Sequence, residues 1–321
     1  MALPTQIFID GEAGTTGLQI RARLEKRGDL EFIRLSDEKR KDAAARKEAL
    51  NSADIVILCL PDDAAKEAAA LIENPSVRVI DASSAHRTSP GWVYGLPEMS
   101  KTQRREIAGA KRVTNPGCYP TGAISLIRPL VSANILPADW PVTINAISGY
   151  SGGGKQMIAE FEDKAAPNYT EVPYRIYAMG LEHKHVEEIR VNGGLNHRPL
   201  FAPAVGRYAQ GMIVEVPLQL WALPGGATVK RVHETIADSY AGERFVSVAS
   251  LDEAAALKTL DPEGLNGTNE LKLFVFGNEE RKQARLVALL DNLGKGASAQ
   301  AVQCLNIMLG LDEGLGVNLQ G

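Results

Sequence analysis

Short apolar runs and amphipathic stretches take turns over the first 115 residues, so strands and helices are expected to alternate there. The runs Ile7–Ile9, Phe32–Leu35, Ile55–Leu60 and Val77–Ile80 read as strands, with helices predicted over Thr15–Lys26, Lys41–Leu50 and Asp63–Ile72. Alternation of this kind builds a parallel, doubly wound sheet. After Asn115 the rhythm changes. One helix is expected through the apolar run Ala123–Leu130, followed by β-rich stretches around Val142–Ile147, Phe201–Tyr208, Met212–Leu220 and Leu271–Phe276. Strands no longer spaced by regular helices predict an α+β second domain with a mixed sheet. A last amphipathic segment, Ala297–Leu309, is able to pack on either domain.

The first strand and helix are joined by Gly11-Glu12-Ala13-Gly14-Thr15-Thr16-Gly17. Glycines there let the backbone approach a pyrophosphate, and the helix start offers oriented N–H groups. The spacing is G-x-x-G-x-x-G instead of G-x-G-x-x-G, so position carries this reading more than spacing does. The fold class is thus α/β: a Rossmann-type dinucleotide-binding domain plus an α+β domain. An NAD site usually presents an acid at the end of the second strand. Here that stretch reads Ser36-Asp37-Glu38-Lys39-Arg40. Ser36, Lys39 and Arg40 suit the 2′-phosphate of NADP, whereas Asp37 or Glu38 would hold a ribose hydroxyl instead. Pro61, closing the third strand run, joins the cofactor set.

Asn115-Pro116-Gly117-Cys118-Tyr119-Pro120-Thr121 places a thiol in a constrained turn ahead of a helix. Unpaired N–H groups at a helix start favour a thiolate, so Cys118 is the expected nucleophile. In His183-Lys184-His185-Val186-Glu187-Glu188, His185 and Glu188 share a helix face, which makes His185 the expected base and Glu188 its orienting carboxylate. His183 would face the same cleft from a turn leading into the helix. H-x-H is also a ligand spacing, but neither a Cys pair nor H-E-x-x-H accompanies it, and no metal is expected. Ser148-Gly149-Tyr150-Ser151-Gly152-Gly153-Gly154-Lys155 follows a strand and nearly spells a nucleotide P-loop, but Gln156 stands where a Ser or Thr belongs. It still makes an anion cradle, with Lys155 as its cation. Arg87, past the strand Val77–Ile80, is a further candidate for gripping phosphate or carboxylate.

Composition narrows the field. With 321 residues, 45% hydrophobic and 23% charged, the chain suits two domains. A net charge of −4 offers no basic face for nucleic acid. No apolar stretch suits a membrane span and the start lacks a signal peptide's pattern, so a cytoplasmic location is expected. Cys59, Cys118 and Cys304 fall in a strand, a turn and a helix, a spread that suggests no disulfide framework.

These motifs, with Tyr94-Gly95-Leu96-Pro97-Glu98 and Asp291-Asn292-Leu293-Gly294-Lys295-Gly296-Ala297, make the chain resemble the N-acetyl-γ-glutamyl-phosphate reductase family, in its shorter second type, over nearly its whole length. It departs from the family's usual pattern at His86 and Val186. The resemblance implies reduction of an acyl phosphate by NADPH in arginine biosynthesis, through a Cys118 thioester, with aspartate-semialdehyde dehydrogenase or aminoadipyl-phosphate reductase as the alternative. It implies a substrate set of Arg87, Asn115, Ser148, Gly149 and Lys155, a small-molecule partner, and a homodimer or homotetramer. It also implies that the terminal segment returns to the cofactor, bringing Asn292 to it. The expected domains are therefore 1–117 with 290–321 for NADP, and 118–289 for catalysis and oligomerisation.

Overall fold

The computed structural model describes residues 3–36 and 38–318. In chain order its elements are β1 (Thr5–Asp10), α1 (Thr15–Leu24), β2 (Leu30–Ile33), α2 (Ala43–Ser52), β3 (Ile55–Leu58), α3 (Asp62–Leu71), β4 (Arg78–Asp81), β5 (Val93–Tyr94), α4 (Gln103–Gly109), β6 (Arg112–Thr114), α5 (Cys118–Ser132), β7 (Thr143–Gly149), α6 (Gly154–Glu162), β8 (Tyr174–Ile176), α7 (Lys184–Gly193), β9 (Leu200–Gly206), β10 (Met212–Gln219), α8 (Val229–Ser239), β11 (Val246–Val248), α9 (Leu251–Ala256), β12 (Leu271–Asn278), β13 (Gln283–Leu290) and α10 (Ala299–Leu309). They form two compact units: Met1–Pro97, Thr102–Pro116 and Ala297–Gly321 make unit 1, and Glu98–Lys101 with Gly117–Gly296 make unit 2. Residues 290–296, expected with the cofactor domain, belong to unit 2, because β13 runs to Leu290 and Asn292 is hydrogen bonded inside that unit.

Unit 1 holds a six-stranded sheet in the order β2-β1-β3-β4-β6-β5, parallel throughout. Every residue of β3 is buried, as expected where helices cover both faces. Asp42 sets the start of α2 two residues later than predicted, its side chain accepting from the Ala45 N–H at 2.7 Å. Helix α10 lies in unit 1: it is buried from Ala299 to Met308, Arg27 donates to Asn306 Oδ1 at 2.6 Å, and Arg78 donates to the Met308 carbonyl. Strand order reverses between β1 and β3, and a ligand crevice is expected beyond the carboxyl ends of those two strands.

Unit 2 is built on a mixed seven-stranded sheet, β11-β12-β13-β10-β7-β9-β8. Strands β7 and β9 are parallel, as are β11 and β12, and the other pairs are antiparallel. Alternation sorts β13 cleanly: Ala284, Leu286, Ala288 and Leu290 enter the large core with Met212, Val214 and Val216, while Val287 and Leu289 join Ile213 and Phe274 on the other face. Helix α5 rests on the large-core face. Its Gly122 is so close to β10 that a Cβ there would come within 2.9 Å of Val214. That close approach fixes the depth at which α5 lies.

Candidate active site

Cys118 is the first residue of α5, and Gly117 caps the helix with extended backbone and no side-chain hydrogen bond. The orphan N–H groups of the first turn are thus left to whatever sits beside the thiol. Pro120 falls in that turn, where its missing N–H costs nothing. Two further features hold the turn. The Gly117 N–H donates to Glu188 Oε1 at 2.8 Å, and the Thr121 hydroxyl donates to the Gly117 carbonyl at 2.9 Å. Gly296 backs onto the cysteine: a Cβ at that position would sit 2.8 Å from the Cys118 Cβ.

His183 is the N-cap of α7, its Nδ1 accepting from the His185 N–H at 3.1 Å. With Nδ1 so used, the proton of a neutral His183 belongs on Nε2. The two imidazoles lie 4.7 Å apart between ring centres, and His185 is buried. Both line a cavity of about 260 Å³ together with Cys118, Ser148, Gly149 and Tyr177. The Tyr177 hydroxyl donates to the Tyr119 hydroxyl at 3.0 Å, which donates in turn to the Ala204 carbonyl at 3.2 Å. Burial pushes the Tyr177 hydroxyl up to about 12 and Tyr119 higher still, so both remain proton donors at neutral pH.

Several expected residues also have partners within the fold. Glu188 is buried, and its Oε1 also holds the cysteine turn through the Gly117 N–H. Lys155 is exposed in α6, and Lys184, also exposed, lines the cavity from the first turn of α7. Asn292, expected at the cofactor, clamps unit 2 to itself: its Oδ1 accepts from the Gly211 N–H at 2.8 Å and its Nδ2 donates to Ser151 Oγ at 3.1 Å. Arg87 is buried in unit 1 and donates to the carbonyls of Asn115 at 2.9 Å and Ala82 at 3.3 Å, so it braces the chain just before the cysteine turn. Asn115 gives Nδ2 to the Ala297 carbonyl at 2.8 Å, and its buried Oδ1 has no partner among the described residues. Tyr177, Lys184 and the Tyr119 hydroxyl were not foreseen from sequence. Only Lys184 left a signal there, standing between the two histidines.

Unit 1 carries a second cavity, about 610 Å³, at the carboxyl ends of β1 and β3. Gly11 lines it at φ +86, where a Cβ would lie 2.3 Å from the Cys59 carbonyl, so only glycine fits. Gly14 caps α1, Thr15 and Thr16 form the helix's first turn, and a Cβ on Gly17 would lie 2.7 Å from the Gly11 carbonyl. This cradle of bare backbone fits a dinucleotide's pyrophosphate. Arg40 lines the same cavity; Ser36 accepts from the Lys39 N–H at 3.4 Å, and Lys39 is exposed. Pro61 is the exposed N-cap of α3, between the lining residues Leu60 and Ala64. Asp37 lies outside the described residues. Sequence reading missed Arg46, which enters this cavity from α2 and donates to Asp10 Oδ2 at 2.8 Å.

A thiol at a helix start with two imidazoles in one unit, and a dinucleotide cradle in the other, define a thiol-dependent dehydrogenase of the semialdehyde dehydrogenase class. The family model described as the semialdehyde dehydrogenase NAD binding domain matches residues 6–108, and that of the dimerisation domain matches 118–292. Similar solved structures include aspartate semialdehyde dehydrogenase II from Vibrio cholerae, at TM-score 0.68, 14% identity and coverage of 96% of this chain and 99% of that one. The Candida albicans enzyme is another, at TM-score 0.64 and 12% identity over 95% and 98%. Curated relatives named N-acetyl-gamma-glutamyl-phosphate reductase are far nearer in sequence. That of Burkholderia cenocepacia is 57% identical over 97% of this chain and 98% of its own, and that of Brucella anthropi 55% over 95% and 98%. The chain belongs to the N-acetyl-gamma-glutamyl-phosphate reductase family of the semialdehyde dehydrogenases. Among the described residues no helix is long and apolar enough to cross a membrane, and no group of three or more His, Cys, Asp or Glu could hold a metal ion.

Proposed function

We propose that this chain reduces N-acetyl-L-glutamyl 5-phosphate to N-acetyl-L-glutamate 5-semialdehyde and phosphate with NADPH, in arginine biosynthesis. The observation that carries the reading is Cys118 at the start of α5 in a cavity shared with His183 and His185, in a chain 57% identical to a reductase of that name. Likeness to aspartate-semialdehyde dehydrogenases is one of fold alone, at 14% identity.

The chemistry follows from this chain's groups. The Cys118 thiolate attacks the acyl phosphate carbonyl; the carbon–oxygen bond to phosphate breaks, phosphate leaves, and a thioester forms. N–H groups of the first turn of α5 face the oxygen on which charge develops. The Gly11–Gly17 cradle would hold NADPH, which would supply the hydride; His185 gives the proton that turns the resulting alkoxide into the thiohemiacetal hydroxyl. His185 takes the proton of that hydroxyl as the carbon–sulfur bond breaks, and returns a proton to sulfur. His183, with Nδ1 committed to the His185 N–H, presents only Nε2, which suits a donor to the substrate. Lys184 supplies positive charge at the cavity wall for the substrate's phosphate or carboxylate. The protein works in the cytoplasm as a homodimer or homotetramer, assembled through the domain spanning 118–292.

The test runs the reaction backward, because acyl phosphates hydrolyse. With N-acetylglutamate semialdehyde and phosphate the enzyme is expected to reduce NADP, and with aspartate semialdehyde to give little signal. Faster turnover of aspartate semialdehyde, or a rate indifferent to phosphate, overturns the assignment.

A further inference from the structure

The segment Asp291-Asn292-Leu293-Gly294-Lys295-Gly296 of unit 2 supplies no group to the reaction, yet it lies directly behind the thiol. It leads into a single π-helical turn, Gly294–Ser298, and the Gly296 N–H donates to the Asp291 carbonyl, five residues back, at 2.9 Å. Such turns are rare and occur most often at functional sites. A Cβ on Gly296 would lie 2.8 Å from the Cys118 Cβ and 3.2 Å from its Cα, so only bare backbone at 296 lets the two segments come so close. Any movement of Gly296 is therefore passed to the first residue of α5.

Two anchors hold this segment. At its start the buried Asp291 carboxylate accepts from Gln210 Nε2 at 2.6 Å, from the Gly267 N–H at 2.8 Å and from the Leu293 N–H at 2.9 Å. Beside Gly296, Lys295 turns inward: its Nζ donates to Glu98 Oε1 at 2.8 Å, and the two side chains are 0% and 1% exposed. The Phe245 ring, its centroid 5.6 Å from Nζ, faces the same ammonium. Glu98 stands 197 residues away in sequence, in the short piece Glu98–Lys101 of unit 2. Burying two charges so completely is a weak source of stability, because desolvation offsets their attraction and apolar residues of similar size often do as well or better. An ion pair supplies direction instead, since a charge-assisted bond between fixed atoms allows one register where methylene groups slide. We infer that Glu98 and Lys295 are positioning residues for the reaction, holding Gly296 against Cys118 so that the sulfur stays in line for the acyl carbon. Neither residue lines the cysteine cavity, and they act through Gly296. The inference rests on the reading of Cys118 as the nucleophile.

The test is steady-state kinetics and scanning calorimetry on the full-length protein, with N-acetylglutamate semialdehyde, phosphate and NADP as reactants. In Glu98→Leu/Lys295→Met both charges go together, so none is left stranded. This variant is expected to melt no more than about 5 °C below the parent. Its kcat is expected to fall by about 10- to 100-fold, the range for a reacting atom displaced by up to about 1 Å, with KM and the NADP dissociation constant within about threefold. Glu98→Asp/Lys295→Arg rebuilds a directional pair across a similar span and is expected to recover most of that loss. A fall in kcat of less than about tenfold in the apolar variant overturns the inference, as does a rebuilt pair no faster than the apolar one. Melting further below the parent than about 5 °C overturns it too, because the pair would then serve stability. A parent with no turnover of the semialdehyde overturns the functional reading and this inference with it.

Discussion

The Gly117–Glu188 hydrogen bond can be tested against the role that sequence spacing suggested for the same carboxylate. In Glu188→Ala the Gly117 N–H loses its 2.8 Å acceptor, 71 residues away in the chain, inside a buried turn. A hydrogen bond to a charged group contributes about 1.5–3 kcal/mol, and the donor left behind is costly because it is buried. For a domain of this size each kcal/mol moves the melting temperature by about 2–4 °C, so a fall of about 5–10 °C is expected. Activity should fall with it, because Gly117 caps the helix that Cys118 begins. Glu188→Gln keeps an oxygen that accepts from the Gly117 N–H, and should recover most of the melting temperature. Scanning calorimetry gives the first quantity, and the pH dependence of kcat the second. If the carboxylate served chiefly to support the charge of His185, Gln would shift the pH profile as strongly as Ala, and Ala would melt within a degree or so of the parent. That pair of results would refute the assignment of Glu188 to the turn.

Native protein treated with iodoacetamide near neutral pH should carry label on Cys118 alone, since burial pushes the Cys59 thiol up to about 12 and Cys304 is fully buried; peptide mass mapping that finds Cys59 labelled as fast contradicts this. Cys118→Ser should lower kcat by about three orders of magnitude or more with NADP affinity unchanged, and a loss of less than tenfold would remove the thioester route. Asn292→Ala should lower the melting temperature, because it breaks both the Gly211 and Ser151 hydrogen bonds, yet leave the NADP dissociation constant as it was; a weakened constant with normal melting would return Asn292 to the cofactor. Gly296→Ala should cut kcat more than it cuts stability, since its methyl would meet the Cys118 Cβ at 2.8 Å, and equal activity in this variant would show the turn to be free to shift.

Local patterns in the chain were legible, and pairings across it were not. β3 was plain because four apolar residues with turn signals on both sides have few other fates. β5 and β6 were passed over because strands of two and three residues leave no period to read, and α4 because a helix of 7 residues spans barely two turns. α6 starts inside Gly152-Gly153-Gly154, which helix propensity marks as loop, and tertiary packing overrides it. The same division runs through the site. Cys118 and the two histidines announce themselves by near neighbours in sequence. Tyr177 arrives just beyond β8, which pairs antiparallel with β9, and nothing within its own segment says what it will face. Arg46 and Asp10 are 36 residues apart, on a helix and a strand that only the finished sheet brings together.

Helix α5 is 15 residues long and is buried from Tyr119 through Ile127, again at Pro129 and Leu130, with the thiol at one end. A helix is stiff along its axis, so a displacement at one end is delivered at the other. Cys118 therefore owes its placement to the packing of unit 2 as much as to its own turn, and reactivity and core integrity are inherited together. Leu130, about 18 Å down the axis by helical rise, touches no substrate, yet truncating it would move the sulfur by letting the whole rod slide. A search for mutations that tune the thiol would do well to begin at the far end of the helix.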